Sequence, residues 1–429
     1  MKRILIKNGL IVDPANGIND VMDLLVEGDR IACVERCIDE EDGMDVIDAS
    51  GKAVMPGFVD LHVHLREPGF EYKETIASGA AAAARGGVTT LCAMPNTNPV
   101  IDSPEAVMDI IERAEDAPVH VLPVGAVTKG QEGKELVDFE GMRAAGAIAF
   151  SEDGKSVMDS LLFRKAMRIL ADIDMPMLSH CEDKGLVEGG VMNAGSKAEE
   201  LGLSGITNAV EDVIAARDIL IAKETGAQLH LCHCSTADSA EIMRFAKAQG
   251  LNVTAEVCPH HFTMSDSDIT EDNGRFKMNP PLRSEHDVEA LKEALSQGIM
   301  DVISTDHAPH AEEEKNKSMK DSAFGIVGLE TSFALSHTVL VKGGVLTLSE
   351  LVEKMSLNPA EVIGIDRGTL SVGSAADIVI ADITESYKID KNTFLSKGKN
   401  TPFDGMTVTG RVEKTITDGR IVYDIGGEL

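Results

Sequence analysis

Short apolar runs alternate with helix-like stretches through the middle of the chain. The runs, rich in Val, Ile and Leu, lie at 58–65, 88–95, 119–127, 147–151, 175–180, 228–235, 252–259 and 301–308. Alanine-rich or charged stretches typical of helices lie between them at 74–85, 105–115, 161–173, 210–225, 239–249 and 288–296. Eight such runs predict an α/β fold of the (β/α)₈ barrel type. A doubly wound open sheet is the alternative, but that fold normally has fewer strands and a phosphate-binding glycine loop.

The two ends of the chain have a different pattern. Strand-like segments at 4–12, 23–27 and 30–35 near the start, and at 376–381, 408–409 and 415–423 near the end, are separated by turn signals. One of these signals, Asp418-Gly419, is typical of a hairpin. Neither end alone can form a core. We therefore expect 1–55 and 370–429 to combine in a small β-sandwich domain, packed beside a barrel domain that spans 56–369.

Composition narrows the class of protein. The 429 residues carry a formal net charge of −31, which disfavours nucleic acid and anionic membrane surfaces as partners. No run approaches the ~20 apolar residues of a membrane span, and the first residues read as a strand rather than a signal peptide. The seven cysteines are scattered and do not form a disulfide framework. A cytoplasmic protein is expected.

The most informative motif is His62-Val63-His64, at the end of the first barrel run. In an extended strand the two imidazoles point the same way and can bind one metal ion. Arg66 falls on the same side if the strand continues. A cation beside a metal pair favours an anionic substrate group.

Further polar residues follow other predicted strands of the barrel. They are Asp153, His180, His233 and Asp306. The carboxyl ends of barrel strands ring one mouth, where active sites lie, so these side chains should converge with the histidine pair. Four imidazoles and two carboxylates suit zinc and similar ions, and six ligands are enough for two metals that share a bridging water.

Some assignments stay open at this point. Asp153 is the natural bridging carboxylate because it directly follows its strand, but Lys155 is close enough to be a carboxylated lysine bridge instead. Cys232 and Cys234 flank His233 and are better explained as buried structural thiols than as ligands. Arg66, Asn96, Asn279 and His310 are candidates for substrate recognition, and each of them alone could be an ordinary surface or turn residue.

The motifs together resemble type I dihydroorotases of the amidohydrolase superfamily. The segments that carry the resemblance occur in family order along the barrel: 60–69 (DLHVHLREPG), 93–97 (AMPNT), 150–154 (FSEDG), 180–183 (HCED), 278–283 (MNPPLR) and 305–310 (TDHAPH). The first segment's histidine pair is shared with hydantoinases and allantoinases. The segments around Arg66, Asn279 and Asp306 point more narrowly to dihydroorotase. Glu152 stands where the family often has aspartate, a mild departure.

The resemblance implies a role for each matching residue. His62, His64, Asp153, His180, His233 and Asp306 would bind two zinc ions, bridged by Asp153 and a hydroxide, and Asp306 would also shuttle the catalytic proton. The substrate would contact His64, Arg66, Asn96, Asn279, His310, Phe324 and Gly325, with a mobile loop at 311–323 nearby.

The implied activity is the reversible cyclisation of N-carbamoyl-L-aspartate to L-dihydroorotate, the third step of de novo pyrimidine biosynthesis. A related cyclic amidohydrolase, such as allantoinase or hydantoinase, is the alternative activity. A catalytically inactive homologue with a structural role is a further alternative, although such proteins typically lose metal ligands. Family analogy suggests a homodimer.

Overall fold

The computed structural model describes residues 2–427 and contains eighteen strands and thirteen α-helices. The strands are β1 Arg3–Asp13, β2 Ile18–Glu27, β3 Arg30–Glu35, β4 Asp45–Asp48, β5 Ala53–Pro56, β6 Phe58–Val63, β7 Val88–Ala93, β8 His120–Ala126, β9 Ala149–Ser151, β10 Met177–Ser179, β11 Met192–Asn193, β12 Gly205–Ile206, β13 Leu229–Leu231, β14 Val253–Val257, β15 Val302–Ile303, β16 Ile378–Lys388, β17 Thr407–Thr417 and β18 Arg420–Asp424. The helices are α1 Ile76–Arg85, α2 Pro104–Arg113, α3 Phe139–Ala145, α4 Ser160–Asp172, α5 Ser196–Leu201, α6 Ala209–Thr225, α7 Ala237–Ala248, α8 Pro259–Thr263, α9 Glu285–Ser296, α10 Glu312–Lys315, α11 Ser332–Ser336, α12 Leu348–Val352 and α13 Asn358–Ile363.

Eight parallel strands form the predicted barrel. Their order is β6-β7-β8-β9-β10-β13-β14-β15, and each of the eight apolar runs contains one of them. The first and last members meet through a parallel bridge between Val63 and His307, where the amide of His64 donates to the His307 carbonyl at 2.9 Å. The predicted barrel is confirmed, and its ring places the carboxyl ends of all eight strands at one mouth.

Local sequence signals explain where the barrel helices begin. Thr75 caps α1, because its hydroxyl accepts a hydrogen bond from the amide of Ser78. The alanine-rich face of α1 then packs against the barrel strands. Asp159 caps α4 in the same way, accepting from the first amides of that helix. These caps fix the helix starts that follow the strand ends, and so they help to shape the loops of the mouth.

The strands from the two ends of the chain form one hydrogen-bonded sheet. Its order is β18-β17-β16-β5-β1-β2-β3, with β4 paired to β1. Alternation along β16 divides its side chains: Ile378 and Ile380 join a core within the sheet, whereas Val379 and Ala381 pack in the barrel core. Asp418 and Gly419, both with positive φ, form the hairpin turn between β17 and β18.

Within residues 2–427, no helix has both the length and the apolar character needed to cross a membrane.

Candidate metal centre and active site

The six predicted metal ligands meet at the mouth of the barrel. His62 lies in β6, and the others follow strand ends closely: His64 follows β6, Asp153 follows β9, His180 follows β10, His233 follows β13 and Asp306 follows β15. All six side chains are buried. Residues as far apart in sequence as 62 and 306 thus form one cluster, because the carboxyl ends of all barrel strands lie at the same face of the barrel.

Asp153 stands at the centre of this cluster. On one side, its Oδ1 lies 3.1 Å from His62 Nε2 and its Oδ2 lies 3.5 Å from His64 Nε2. Asp306 closes that side, with Oδ1 at 3.1 Å from His64 Nε2 and 3.6 Å from His62 Nε2. Two imidazoles and two carboxylates therefore surround a single point.

The other half of the cluster uses the same Asp153 oxygen. Oδ1 lies 3.3 Å from His180 Nδ1 and 3.7 Å from His233 Nε2, and those two ring nitrogens are 2.8 Å apart. The ligand atoms of His62, His64 and Asp153 lie within 4.8 Å of one another, and so do those of Asp153, His180 and His233. Asp153 therefore belongs to both halves and is the carboxylate that joins them.

The residues present fit a metal ion. Buried polar atoms normally have hydrogen-bond partners, yet His62 Nε2, Asp153 Oδ1 and His180 Nε2 are buried without one among residues 2–427. Burial disfavours a charged His180, but the nearby carboxylates of Asp153 and Glu182 outweigh burial and raise the pKa of His180 to about 10. Burial opposes ionisation of Asp153 too, yet the facing imidazoles hold its pKa well below the usual range. The ionised Asp153 carboxylate favours positive charge at the point that the imidazoles surround. A divalent cation can supply that charge once the imidazoles are neutral.

Three residues at the mouth have left-handed backbone conformations. The φ angles are +62° at Arg66, +34° at His233 and +48° at Asp306. Such conformations cost of order 1 kcal/mol or more for residues other than glycine, and they concentrate at functional sites. Here each of them lies within three residues of the end of its strand, where the chain leaves the barrel.

A cavity of about 300 Å³ opens above the cluster. Its walls include every residue predicted to contact substrate: His64, Arg66, Asn96, Asn279, His310, Phe324 and Gly325. Asp153, His180, His233 and Asp306 also reach this cavity. A small molecule bound in it would therefore contact the ligand cluster and the recognition residues together.

The end of the cavity around Arg66 is cationic. Arg66 Nε donates to the Pro309 carbonyl at 3.2 Å, its Nη2 lies 3.3 Å from His310 Nε2, and no carboxylate of residues 2–427 lies within 4.0 Å of its guanidinium. Next to it, His310 lies 2.7 Å from the Phe324 carbonyl through Nε2. Burial and the charge of Arg66 lower the pKa of His310 to about 3, so this imidazole is neutral and donates to that carbonyl. The guanidinium remains available for an anionic group of a ligand.

The two asparagines of the site have different surroundings. Asn96 Oδ1 lies 2.9 Å from His64 Nδ1, and its Nδ2 donates to Asp153 Oδ2 at 3.3 Å. Asn96 therefore also orients the cluster, a contact that its sequence motif did not reveal. Asn279 Nδ2 donates to Glu182 Oε1 at 2.8 Å. Because a carboxylate only accepts, Oδ1 of Asn279 is the amide atom left for a substrate N–H.

Sequence reasoning missed two carboxylates near the cluster. Glu182 lines the cavity and lies 3.5 Å from His180 Nε2, and Glu256 lies 2.9 Å from His62 Nδ1. Glu182 lies within the 180–183 motif, and Glu256 is a single acidic residue inside an apolar strand. An isolated charge in a buried strand is the signal that could have revealed Glu256.

The structure also places the residues that the sequence left open. Lys155 is exposed, whereas Asp153 lies in the cluster. Cys232 and Cys234 are both buried. Glu152 accepts hydrogen bonds from the amides of Val127 and Thr128, which anchors the segment before Asp153. The 311–323 segment carries α10, and Lys315 and Met319 within it are buried.

Comparison with known proteins gives a consistent result. Residues 51–239 match a family model described as Dihydro-orotase-like. A protein named dihydroorotase from Syntrophus aciditrophicus is 48% identical over 423 residues, which cover 98% of this chain and 99% of that relative. A dihydroorotase from Acetivibrio thermocellus is 46% identical over 420 residues, covering 98% of both chains.

Solved structures with the same fold are more distant in sequence. An L-hydantoinase (dihydropyrimidinase) from Arthrobacter aurescens has a TM-score of 0.91 at 28% identity, covering 100% of this chain and 98% of that one. A D-hydantoinase from Thermus has a TM-score of 0.86 at 27% identity, covering 99% of this chain and 96% of that one. These neighbours share the architecture of a cyclic amidohydrolase.

Proposed function

The chain belongs to the dihydroorotase family, and from that premise we propose that it interconverts N-carbamoyl-L-aspartate and L-dihydroorotate. The observation that carries the substrate assignment is the guanidinium of Arg66. It faces the cavity with no carboxylate of residues 2–427 within 4.0 Å, at one end of a site whose other components suit amide hydrolysis. Dihydroorotate has a carboxylate that can bind Arg66 and a ring amide that can be hydrolysed at the other end of the site. The proposal includes a cytoplasmic location and, by family analogy, a homodimer.

We further propose that the centre holds two zinc ions. His62, His64 and Asp306 would hold one, His180 and His233 the other, and Asp153 would be shared by both. Bound zinc would lower the pKa of water from ~16 toward ~7 and polarise the carbonyl under attack. The donor set and the unpartnered buried atoms support this proposal.

The protein side chains bind the substrate and transfer the proton. Arg66 holds the substrate carboxylate, and Asn279 accepts a hydrogen bond from a ring N–H through Oδ1. In hydrolysis, water attacks the ring amide carbon and the carbon–nitrogen bond breaks. Asp306 accepts a proton from the attacking water and gives it to the leaving nitrogen, which becomes the terminal amino group of the carbamoyl group. Cyclisation follows the same path in reverse.

A substrate comparison tests the proposal. Purified enzyme with zinc is assayed by absorbance with dihydroorotate, hydantoin and allantoin in parallel, and product formation from N-carbamoyl-L-aspartate is followed in the reverse direction. We expect dihydroorotate to have the highest kcat/KM. A higher kcat/KM for hydantoin or allantoin would assign the chain to a sister activity, and turnover of none of them would reject a catalytic role.

A further inference from the structure

Glu256 is a carboxylate buried beneath the metal centre. It lies in β14, is 0% exposed and does not line the substrate cavity. Its Oε1 is 2.9 Å from His62 Nδ1 and accepts from the amide of His233 at 3.1 Å. One oxygen thus contacts the side chain of a ligand from one half of the cluster and the backbone of a ligand from the other half.

The second oxygen of Glu256 is held from the opposite side. His230 Nε2 lies 3.1 Å from Oε2, and His230 Nδ1 lies 2.8 Å from the hydroxyl of Thr254. All three groups are buried or partly buried within neighbouring strands. The Thr254 hydroxyl can donate to His230 Nδ1, which leaves the proton on Nε2 to face the carboxylate. This chain of contacts fixes the orientation of Glu256.

The contact determines which nitrogen of His62 carries the proton. With a metal ion bound in the cluster, Nε2 of His62 must present its lone pair to the metal, so Nδ1 carries the ring proton and donates it to the carboxylate of Glu256. That Nε2 is the unpartnered atom that faces Asp153 and Asp306. In the other tautomer, two lone pairs would face each other at Glu256, and Nε2–H would point into the cluster.

We propose that Glu256 is a positioning residue for the metal centre, held in turn by His230. It fixes the tautomer and ring orientation of His62 and adds a negative charge beneath two metal positions. In other metal sites, removing such an outer carboxylate typically weakens metal binding or activity 10–100-fold. The inference rests on the proposed metal centre but requires no assumption about the substrate.

The variant Glu256→Gln tests it. The amide keeps the size of the side chain and removes the charge. Zinc is withdrawn from the holoenzyme with graded concentrations of a chelator, and the midpoint gives the relative affinity. We expect about 10–100-fold weaker zinc binding. The matched control is Glu211→Gln, because Glu211 is equally buried and contacts Ser235 and Arg283 rather than a ligand.

The possible results separate the explanations. Weaker zinc binding in Glu256→Gln alone supports the proposal, while wild-type affinity in a folded Glu256→Gln overturns it. Equal losses in both variants also overturn it, because general destabilisation would then be sufficient. A neutron diffraction map of the wild-type holoenzyme needs no variant: a deuteron on His62 Nδ1 is expected, and a deuteron on Nε2 contradicts the proposal. Neither readout uses turnover, so a failed substrate assignment would be recognised separately.

Discussion

Replacing Arg66 with methionine should separate substrate binding from chemistry. The substitution removes the guanidinium and keeps an apolar side chain of similar length. No protein carboxylate loses a salt bridge, since none within residues 2–427 lies within 4.0 Å of Arg66. The Pro309 carbonyl loses one hydrogen bond, and the 3.3 Å contact between Arg66 Nη2 and His310 Nε2 is lost as well. The cost to the free energy of unfolding should therefore be about 1.5–3 kcal/mol, because the lost hydrogen bond comes from a charged group. The cost to substrate binding is measured separately, through KM.

The magnitude follows from the lost charged hydrogen bond. Hydrogen bonds to charged groups contribute about 1.5–3 kcal/mol, and each 1.4 kcal/mol changes an equilibrium about tenfold. KM for dihydroorotate should thus rise roughly 10–150-fold, while kcat changes little because the carboxylate is held equally in the ground state and the transition state.

Steady-state absorbance assays over a range of dihydroorotate concentrations measure both constants. Arg113→Met is the control, since Arg113 is a surface arginine of α2 that pairs with Asp109 and Glu67, and it should leave KM unchanged. An unchanged KM in Arg66→Met would refute carboxylate recognition by Arg66. Equal losses with dihydroorotate and with uncharged hydantoin would refute it as well.

Two further variants examine the chemistry and the ring contacts. Asp306→Asn should retain the fold and lose about 10²–10⁴-fold in kcat, because the amide cannot carry the proton; circular dichroism checks the fold, and near wild-type turnover would remove Asp306 from the proton transfer. Glu182→Leu removes the acceptor that orients the Asn279 amide. Substrate binding should weaken by about 0.5–1.5 kcal/mol, which raises KM for dihydroorotate by about 2–12-fold. An unchanged KM in Glu182→Leu would show that Asn279 is oriented by other contacts.

The sequence predicted the barrel because each strand is a compact apolar run with polar residues after it. The 301–308 run shows the limit of that signal. Only Val302 and Ile303 pair as strand β15, and the chain then turns through the left-handed Asp306. Hydrophobicity indicates burial, whereas strand ends depend on backbone hydrogen bonds with neighbours that are distant in sequence.

The last barrel helices are harder to predict from sequence. After α11 the chain continues through a π-helical turn at His337–Val341, and α12 is joined to α13 by another at Glu353–Leu357. A helical periodicity is interrupted at each wide turn. The terminal strands and their combination were predictable, but the strand order and register of the sheet depend on contacts between the first and last parts of the chain.

The candidate site was predicted as a set of side chains, without its internal contacts. Strand-end position was sufficient to bring His62, Asp153 and Asp306 together. Glu256 and His230 could not be assigned in this way, because their role depends on hydrogen bonds between β6, β13 and β14. The absence of a carboxylate within 4.0 Å of the Arg66 guanidinium, among the described residues, is likewise a property of the folded molecule alone.

Anomalous diffraction at the zinc absorption edge tests the central claim most directly. Crystals of the wild-type enzyme purified with zinc should show anomalous density beside Asp153 Oδ1, about 2.0–2.2 Å from the ligand nitrogens and oxygens. One peak is expected among His62, His64 and Asp306, and one between His180 and His233. Zinc-loaded crystals with anomalous density elsewhere and none among these six side chains would contradict the account.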